Sequence, residues 1–253
     1  MPNEARVIFA VCSSFEFTKF KNIIKNKAIE LLVVVWYNLS MNINYYGYSC
    51  FRLEGKNMSI MIDPFSKEIG LRAPRLGKDN ILLTTHNHDD HHNLEGKSDD
   101  AFLVSGPGEY EKGGVQIEGI VSYHDENEGK DRGLNTIYVI RFEGIKFCHL
   151  GDFGEKELSH EQIESIGDID VLFIPVGGKC TIDAQKALKI INQISPKMIV
   201  PMHYKTKDLK LDIEGPDKFI KEIGIKPEKV GTSWRINEKG LPIDETKLVM
   251  FIT

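Results

Sequence analysis

Thr85-His86-Asn87-His88-Asp89-Asp90-His91 packs three imidazoles and two carboxylates into the six positions from His86 to His91, directly after the apolar run Ile81-Leu82-Leu83. The apolar run reads as a buried strand. If the chain stays extended beyond it, His86, His88 and Asp90 share one face, because alternate residues of a strand point the same way. His91 joins them only if the backbone turns there. This is the geometry of a strand end feeding a turn. Neutral imidazole and carboxylate are ligands that suit zinc, and four such groups exceed what one tetrahedral ion usually draws from so short a segment. Two metals are therefore the first expectation. A solvated polar loop is the alternative, and the acids and histidines further along the chain weigh against it.

Before the cluster, residues 42–62 read as a β meander. Asn42 to Tyr46 and Ser49 to Leu53 are short strands about a Gly47 turn, and Glu54-Gly55-Lys56-Asn57 turns into Met58 to Ile62. Asp63-Pro64 ends it, with proline stopping the strand and a carboxylate left at its tip. Asp63 is either a turn residue or an acid that holds a metal-binding histidine or its loop from behind. After the cluster come Phe102 to Val104, a Gly106-Pro107-Gly108 turn, and a strand from Val115 to Ser122 with His124 just beyond it. Asn135 to Phe142 and Ile145 to Leu150 form a hairpin about Glu143-Gly144, and the second strand runs into Gly151-Asp152, again an acid at a strand tip.

The second half changes character. Helices are expected over Ser159 to Ile166, Asp183 to Ile194 and Asp217 to Ile223, with Ser159 as an N-cap. Strands are expected over Val171 to Val176, Met198 to Val200 and Lys247 to Ile252. Strands first and helices gathered later suggest two sheets packed on each other with helices outside.

Composition supports one globular domain. The 253 residues can bury a sizeable core, and 41% hydrophobic with 27% charged residues is ordinary for a folded chain. A net charge of -5 argues against a general electrostatic hold on nucleic acid or an anionic membrane. Cys12, Cys50, Cys148 and Cys180 are scattered, which fits a reducing cytoplasm better than a disulfide or zinc framework. Residues 1–40 differ from the rest. Their basic segment (Lys19, Lys21, Lys25, Lys27) and apolar run Leu31 to Tyr37, too short to span a bilayer, read as an N-terminal extension. It is either an extra helix and strand or sequence upstream of a start at Met41.

His86-x-His88-x-Asp90-His91, followed by His124, Gly151-Asp152 and Pro201-Met202-His203, resembles the metallo-β-lactamase-fold superfamily. Asp63 matches the first of its motifs, and all five occur in family order over residues 63–203. Gly106-Pro107-Gly108-Glu109-Tyr110, His149-Leu150-Gly151-Asp152, Pro175-Val176-Gly177-Gly178 and Pro201 to Thr206 look like the short zinc-dependent hydrolases that include L-ascorbate-6-phosphate lactonase. The resemblance covers residues 41–253 and implies an α/β fold, a four-layer αββα sandwich of two mixed β-sheets flanked by helices. It implies that His86, His88 and His124 hold one metal, that Asp90, His91 and His203 hold a second, and that Asp152 bridges them. The implied cofactors are two Zn²⁺ ions, with Mn²⁺ as the alternative, sharing a hydroxide that Asp90 orients. Four positive charges less those of Asp90, Asp152 and hydroxide leave about +1, which suits a small anionic substrate. His88 stands where diiron oxygen-reducing relatives carry an acid, which argues against that chemistry.

Outside this set, His92 is expected to point away from the metals. His149, three residues before Asp152, reads as a hydrogen-bonded core histidine that supports the site from behind. Lys205 and Thr206 follow His203 after Tyr204 and are expected either to meet a substrate anion or to lie in a solvated loop. The expected activity is hydrolysis of an ester, lactone or related bond. A phosphodiesterase or RNA-processing nuclease and a non-catalytic metal-binding module are the alternatives. No nucleic-acid or membrane partner is expected, and a homo-oligomer is left open.

Overall fold

The structure, a computed structural model, describes residues 40–252. The extension expected over residues 1–40 lies outside the described residues, Ser40 excepted. Alternation builds the first sheet. In β1 (Met41–Gly47), Met41, Ile43 and Tyr45 are buried while Asn42, Asn44 and Tyr46 are half-buried, the period of a strand with one face in the core. β2 (Cys50–Glu54) and β3 (Ser59–Ile62) follow antiparallel, and β4 (Ile81–Leu83) and β5 (Phe102–Val104) join in parallel. β13 (Ser233–Ile236) pairs with β1, so this six-stranded sheet runs β13-β1-β2-β3-β4-β5.

The second sheet has eight strands. β6 (Gly108–Lys112), β7 (Val115–Tyr123), β8 (Leu134–Phe142) and β9 (Ile145–His149) form an antiparallel run. β10 (Val171–Pro175), β11 (Met198–Met202), β14 (Lys247–Phe251) and β12 (Glu228–Val230) continue it in parallel beyond β9. Both sheets are mixed, as expected. Ile43, Phe51, Ile62 and Leu83 of the first face Tyr138, Phe147, Phe173 and Val200 of the second, with the Phe51 and Phe173 rings 4.4 Å apart.

The helices α1 (His160–Ile166), α2 (Ala184–Ile194) and α3 (Asp217–Ile223) cover the outer face of the second sheet. α2 buries Ala184, Ala187, Ile190, Ile191 and Ile194, the three-and-four spacing of one helical stripe. Ser159 and Asp183 cap α1 and α2 through their side chains, each contributing about 1 kcal/mol. Over the first sheet the outer layer differs from the expected one. Among the described residues it is irregular: Phe65, Ile69, Leu76, Leu209 and Ile213 cover Cys50, Met61 and Leu82, with a single 3-10 turn at Lys67–Ile69. Pro64, Gly70, Pro74 and Gly77 interrupt that segment too often for an α-helix to propagate.

Among the described residues, the strands of both sheets begin at or after Met41. A chain beginning at Met41 is therefore expected to fold and to bind metal as the full chain does. Insoluble protein, or metal affinity lost on truncation, would show that residues 1–40 belong to the core.

Candidate metal centre

β3 and β4 run in parallel in one sheet, and β7, β9 and β11 run the same way in the other. Their C-terminal ends deliver Asp63, Thr85-His86, His124, Asp152 and His203 to one edge of the sandwich, where the backbone can leave the ladder and turn. His91 joins the cluster because the chain makes one turn after His88: the N–H groups of His91 and His92 both donate to His88 O at 2.9 Å. This is the bend that the spacing required.

Asp152 lies at the centre. Its Oδ2 is 3.3 Å from His91 Nε2, 3.3 Å from His124 Nε2 and 3.0 Å from His203 Nε2. Ligand atoms of His86, His88 and His124 lie within 4.8 Å of one another, and so do those of His86, His91 and Asp152. Asp90 Oδ2 stands 3.8 Å from His91 Nε2. All seven residues expected as ligands are thus brought together: the two groups overlap at His86, and Asp152 Oδ2 reaches His91, His124 and His203.

The supporting bonds choose the tautomers. Asp63, 1% exposed, accepts from Thr85 N and Thr85 Oγ1, each at 2.8 Å, and its Oδ2 is 3.0 Å from His91 Nδ1. His91 Nδ1–H therefore donates to Asp63 and frees Nε2 toward Asp152. Thr85 Oγ1 has given its proton to Asp63, so at 3.0 Å it accepts from His86 Nδ1, which frees His86 Nε2. Asp63 is a support for the histidines, not a simple turn residue. His149 is a buried core histidine: its Nε2 donates to Ser49 O at 3.0 Å while its Nδ1 accepts from Gly151 N at 3.1 Å, and burial lowers its pKa. It ties the turn before Asp152 to the turn between β1 and β2. His92 belongs to neither ligand group, and its Nδ1 lies 3.2 Å from Thr84 Oγ1.

The unpaired atoms say what is expected here. His86 Nε2, His91 Nε2, His124 Nδ1, His203 Nδ1 and Asp152 Oδ1 are buried without a hydrogen-bond partner. Each such group costs about 1–3 kcal/mol, and three of them, His86 Nε2, His91 Nε2 and Asp152 Oδ1, are ligand atoms that fit divalent metal ions. The titration pattern agrees. Burial, reinforced by neighbouring His91, pushes His86 down to about 2, and burial followed by His124 lowers His88. Burial also works against a charged His91, but the carboxylates of Asp152 and Asp63 overcome it and raise that imidazole. Asp152 is held well below the carboxylate range: burial opposes this, and His203 and His91 outweigh it. The cluster competes for positive charge, which a bound cation would supply to all its members.

A family model described as Beta-lactamase superfamily domain matches residues 42–203. The chain belongs to the beta-lactamase superfamily. Within it, a UPF0173 protein of Pyrococcus furiosus is 31% identical over 202 residues, covering 72% of this chain and 90% of the relative. A UPF0173 metal-dependent hydrolase of Thermococcus onnurineus is 27% identical over 220 residues, covering 75% and 95%. A crystal structure from Thermotoga maritima, described as a candidate Zn-dependent hydrolase of the metallo-beta-lactamase superfamily, superposes with a TM-score of 0.68 at 36% identity, covering 83% of this chain and 98% of that one.

Asn135, Thr85 and Tyr48 are three residues at this superfamily site that carry no sequence signal of their own. Asn135 Oδ1 accepts from Asp152 N at 2.9 Å while its Nδ2 donates to Leu150 O at 2.9 Å, which clamps the turn that presents Asp152. Gly151 in that turn has φ 58°, and a Cβ there would lie 2.3 Å from Asn135 Oδ1, so only glycine fits. Thr85 relays between Asp63 and His86, and Tyr48 donates to Asp90 Oδ2 at 2.9 Å. Lys205 and Thr206 make no hydrogen bond to the cluster. Lys205 Nζ donates to Leu209 O at 2.5 Å and Leu211 O at 2.8 Å, closing its own loop, and Thr206 Oγ1 is buried without a partner. Neither lines the cavity of about 490 Å³ that opens beside His88 and Asp90, whose other walls are Ser66, Glu68, Ile69, Asn87, Asp89 and Leu211.

Proposed function

We propose that this chain is a metal-dependent hydrolase that holds two divalent cations, zinc or alternatively manganese, and cleaves an ester, lactone or related bond of a small anionic substrate. The observation that carries this reading is the Asp152 carboxylate set 3.0 to 3.3 Å from the imidazoles of His91, His124 and His203. Bound there, the cations supply Lewis acidity toward a carbonyl oxygen and lower the pKa of water. His86, His88 and His124 would hold one, Asp90, His91 and His203 the other, and Asp152 both. Asp90, 27% exposed at its side chain and lining the cavity, orients the attacking water and takes up its proton. His91, Asp63 and Thr85 keep their hydrogen bonds throughout and so hold the geometry.

The cavity supports a small substrate. Its volume of about 490 Å³ falls within the roughly 300–1,000 Å³ of small-molecule sites. Glu68, Asp89 and Asp90 line it and no lysine or arginine does, so a substrate anion sits at the cations and the remainder is neutral. Such walls also oppose a polyanion, whose binding needs many basic contacts. No described helix is long and apolar enough to cross a membrane, and the buried free thiols of Cys50 and Cys148 support a cytoplasmic location.

The test is a screen of the metal-loaded protein against lactones, esters, phosphodiesters and structured RNA. Metal-dependent turnover of a small lactone or ester with inert RNA is expected. RNA cleavage that disappears in His88→Ala, with lactones inert, would replace this reading by a nuclease. Two bound metals with no turnover of any class would favour a non-catalytic binding module.

A further inference from the structure

The cavity beside His88 and Asp90 has one apolar wall, made by Ile69 and Leu211. The two residues come from segments far apart in the chain, and the fold ties those segments together. Lys210 N donates to Ile69 O at 2.8 Å, and Leu209 and Ile213, on either side of Leu211, are buried with Ile69 and Phe65 in the layer over the first sheet. Leu211 is half-buried and packs against that layer.

Lys205 fixes the same stretch from within the loop. Its Nζ donates to Leu209 O at 2.5 Å and to Leu211 O at 2.8 Å, and its own N–H donates to Glu214 O at 2.8 Å. An ammonium has three donors and no acceptor, so it draws two carbonyls of one turn to a single point. The turn that carries Leu211 is therefore held by Lys205 on one side and by Ile69 O on the other. The rest of the lining includes the carboxylates of Glu68 and Asp89 and no lysine or arginine, which sets a negative field against a second anion.

We propose that Ile69 and Leu211 determine specificity by receiving a short aliphatic chain of a monoanionic substrate, and that Lys205 is the positioning residue of this wall; the proposal takes its substrate class from the two-cation hydrolase reading above. It gives the unreacting part of the substrate a chemistry, namely saturated carbon beside the reacting group and no second negative charge. Each methylene buried there strengthens binding about fourfold.

Calorimetric titration of the Zn²⁺-loaded full chain with straight-chain carboxylates from acetate to hexanoate, and with succinate, tests this without requiring turnover. Affinity should rise about fourfold per methylene, and succinate should bind more weakly than butyrate, which has the same number of carbons. Leu211→Ala and Lys205→Met should keep the metal content of the wild type and lower the gain to below about twofold per methylene. Lys205→Arg, which keeps the donors, should restore part of it. A flat series in the wild type, no carboxylate bound, succinate bound as tightly as butyrate, or a gain unchanged in Leu211→Ala or Lys205→Met overturns the proposal. Should a variant not fold, the wild type decides by nuclear Overhauser contacts between the hexanoate chain and the Leu211 methyl groups, whose absence overturns it. A rising series that both variants flatten, with no ester or lactone hydrolysed, supports the aliphatic pocket and removes the hydrolase reading alone.

Discussion

Asp152→Ala is expected to lower metal-dependent turnover by more than the roughly 10- to 100-fold that follows loss of a supporting partner, and to lower the affinity of both metal positions. Its Oδ2 is the one oxygen within 3.3 Å of His91, His124 and His203, and its carboxylate carries the negative charge set against five converging imidazoles, those of His86, His88, His91, His124 and His203. Alanine removes the shared ligand and leaves those rings facing one another, with His86 and His91 only 4.3 Å apart. Asp152→Asn separates shape from charge, since it keeps the volume and removes the anion. Both variants should lose activity and metal together. Turnover within threefold of wild type in Asp152→Ala would remove Asp152 from the site. The check is turnover beside metal content of the same preparation.

Removing the metal is expected to destabilise the fold. A ligand at 1,000 times its Kd stabilises the native state by about 4.1 kcal/mol, and for a chain of this size each kcal/mol moves Tm by about 2–4 °C. A chelator should therefore lower Tm by roughly 8–16 °C. The physical source is the set of buried unpartnered atoms His86 Nε2, His91 Nε2 and Asp152 Oδ1, which a cation satisfies and water cannot easily reach. Thermal unfolding with and without chelator measures it, and addition of Zn²⁺ should restore the lost stability. An unchanged Tm would mean that these atoms are satisfied in some other way.

Much of this architecture is legible in the chain because burial leaves a pattern. β1 alternates, β4 and β10 are continuous apolar runs, and α1 and α2 announce themselves by Ser159 and Asp183 followed by helical spacing. The strands that sequence reasoning passes over are β6, β12 and β13, and each is the last strand of its sheet. An edge strand is bonded on one side and wetted on the other. Glu109, Glu111, Glu228 and Arg235 therefore give it no apolar signature. The site divides in the same way. Histidines and aspartates at strand ends are costly to bury without a metal, so their spacing alone is informative. Tyr48 and Asn135 are ordinary residues in a turn and a strand, and only the folded backbone brings them against Asp90 and Asp152. Lys205, two positions after His203, shows what spacing leaves open: a substrate contact and a solvated loop read alike in the sequence, and in the fold its ammonium donates to the carbonyls of Leu209 and Leu211.

The central claim is that one carboxylate serves two cation positions, and metal stoichiometry tests it most directly. Elemental analysis of protein purified without chelator should give about two equivalents of zinc or manganese per chain, falling to about one in Asp90→Ala and His203→Ala. Saturation at one equivalent in the wild type, unchanged in both variants, would contradict it.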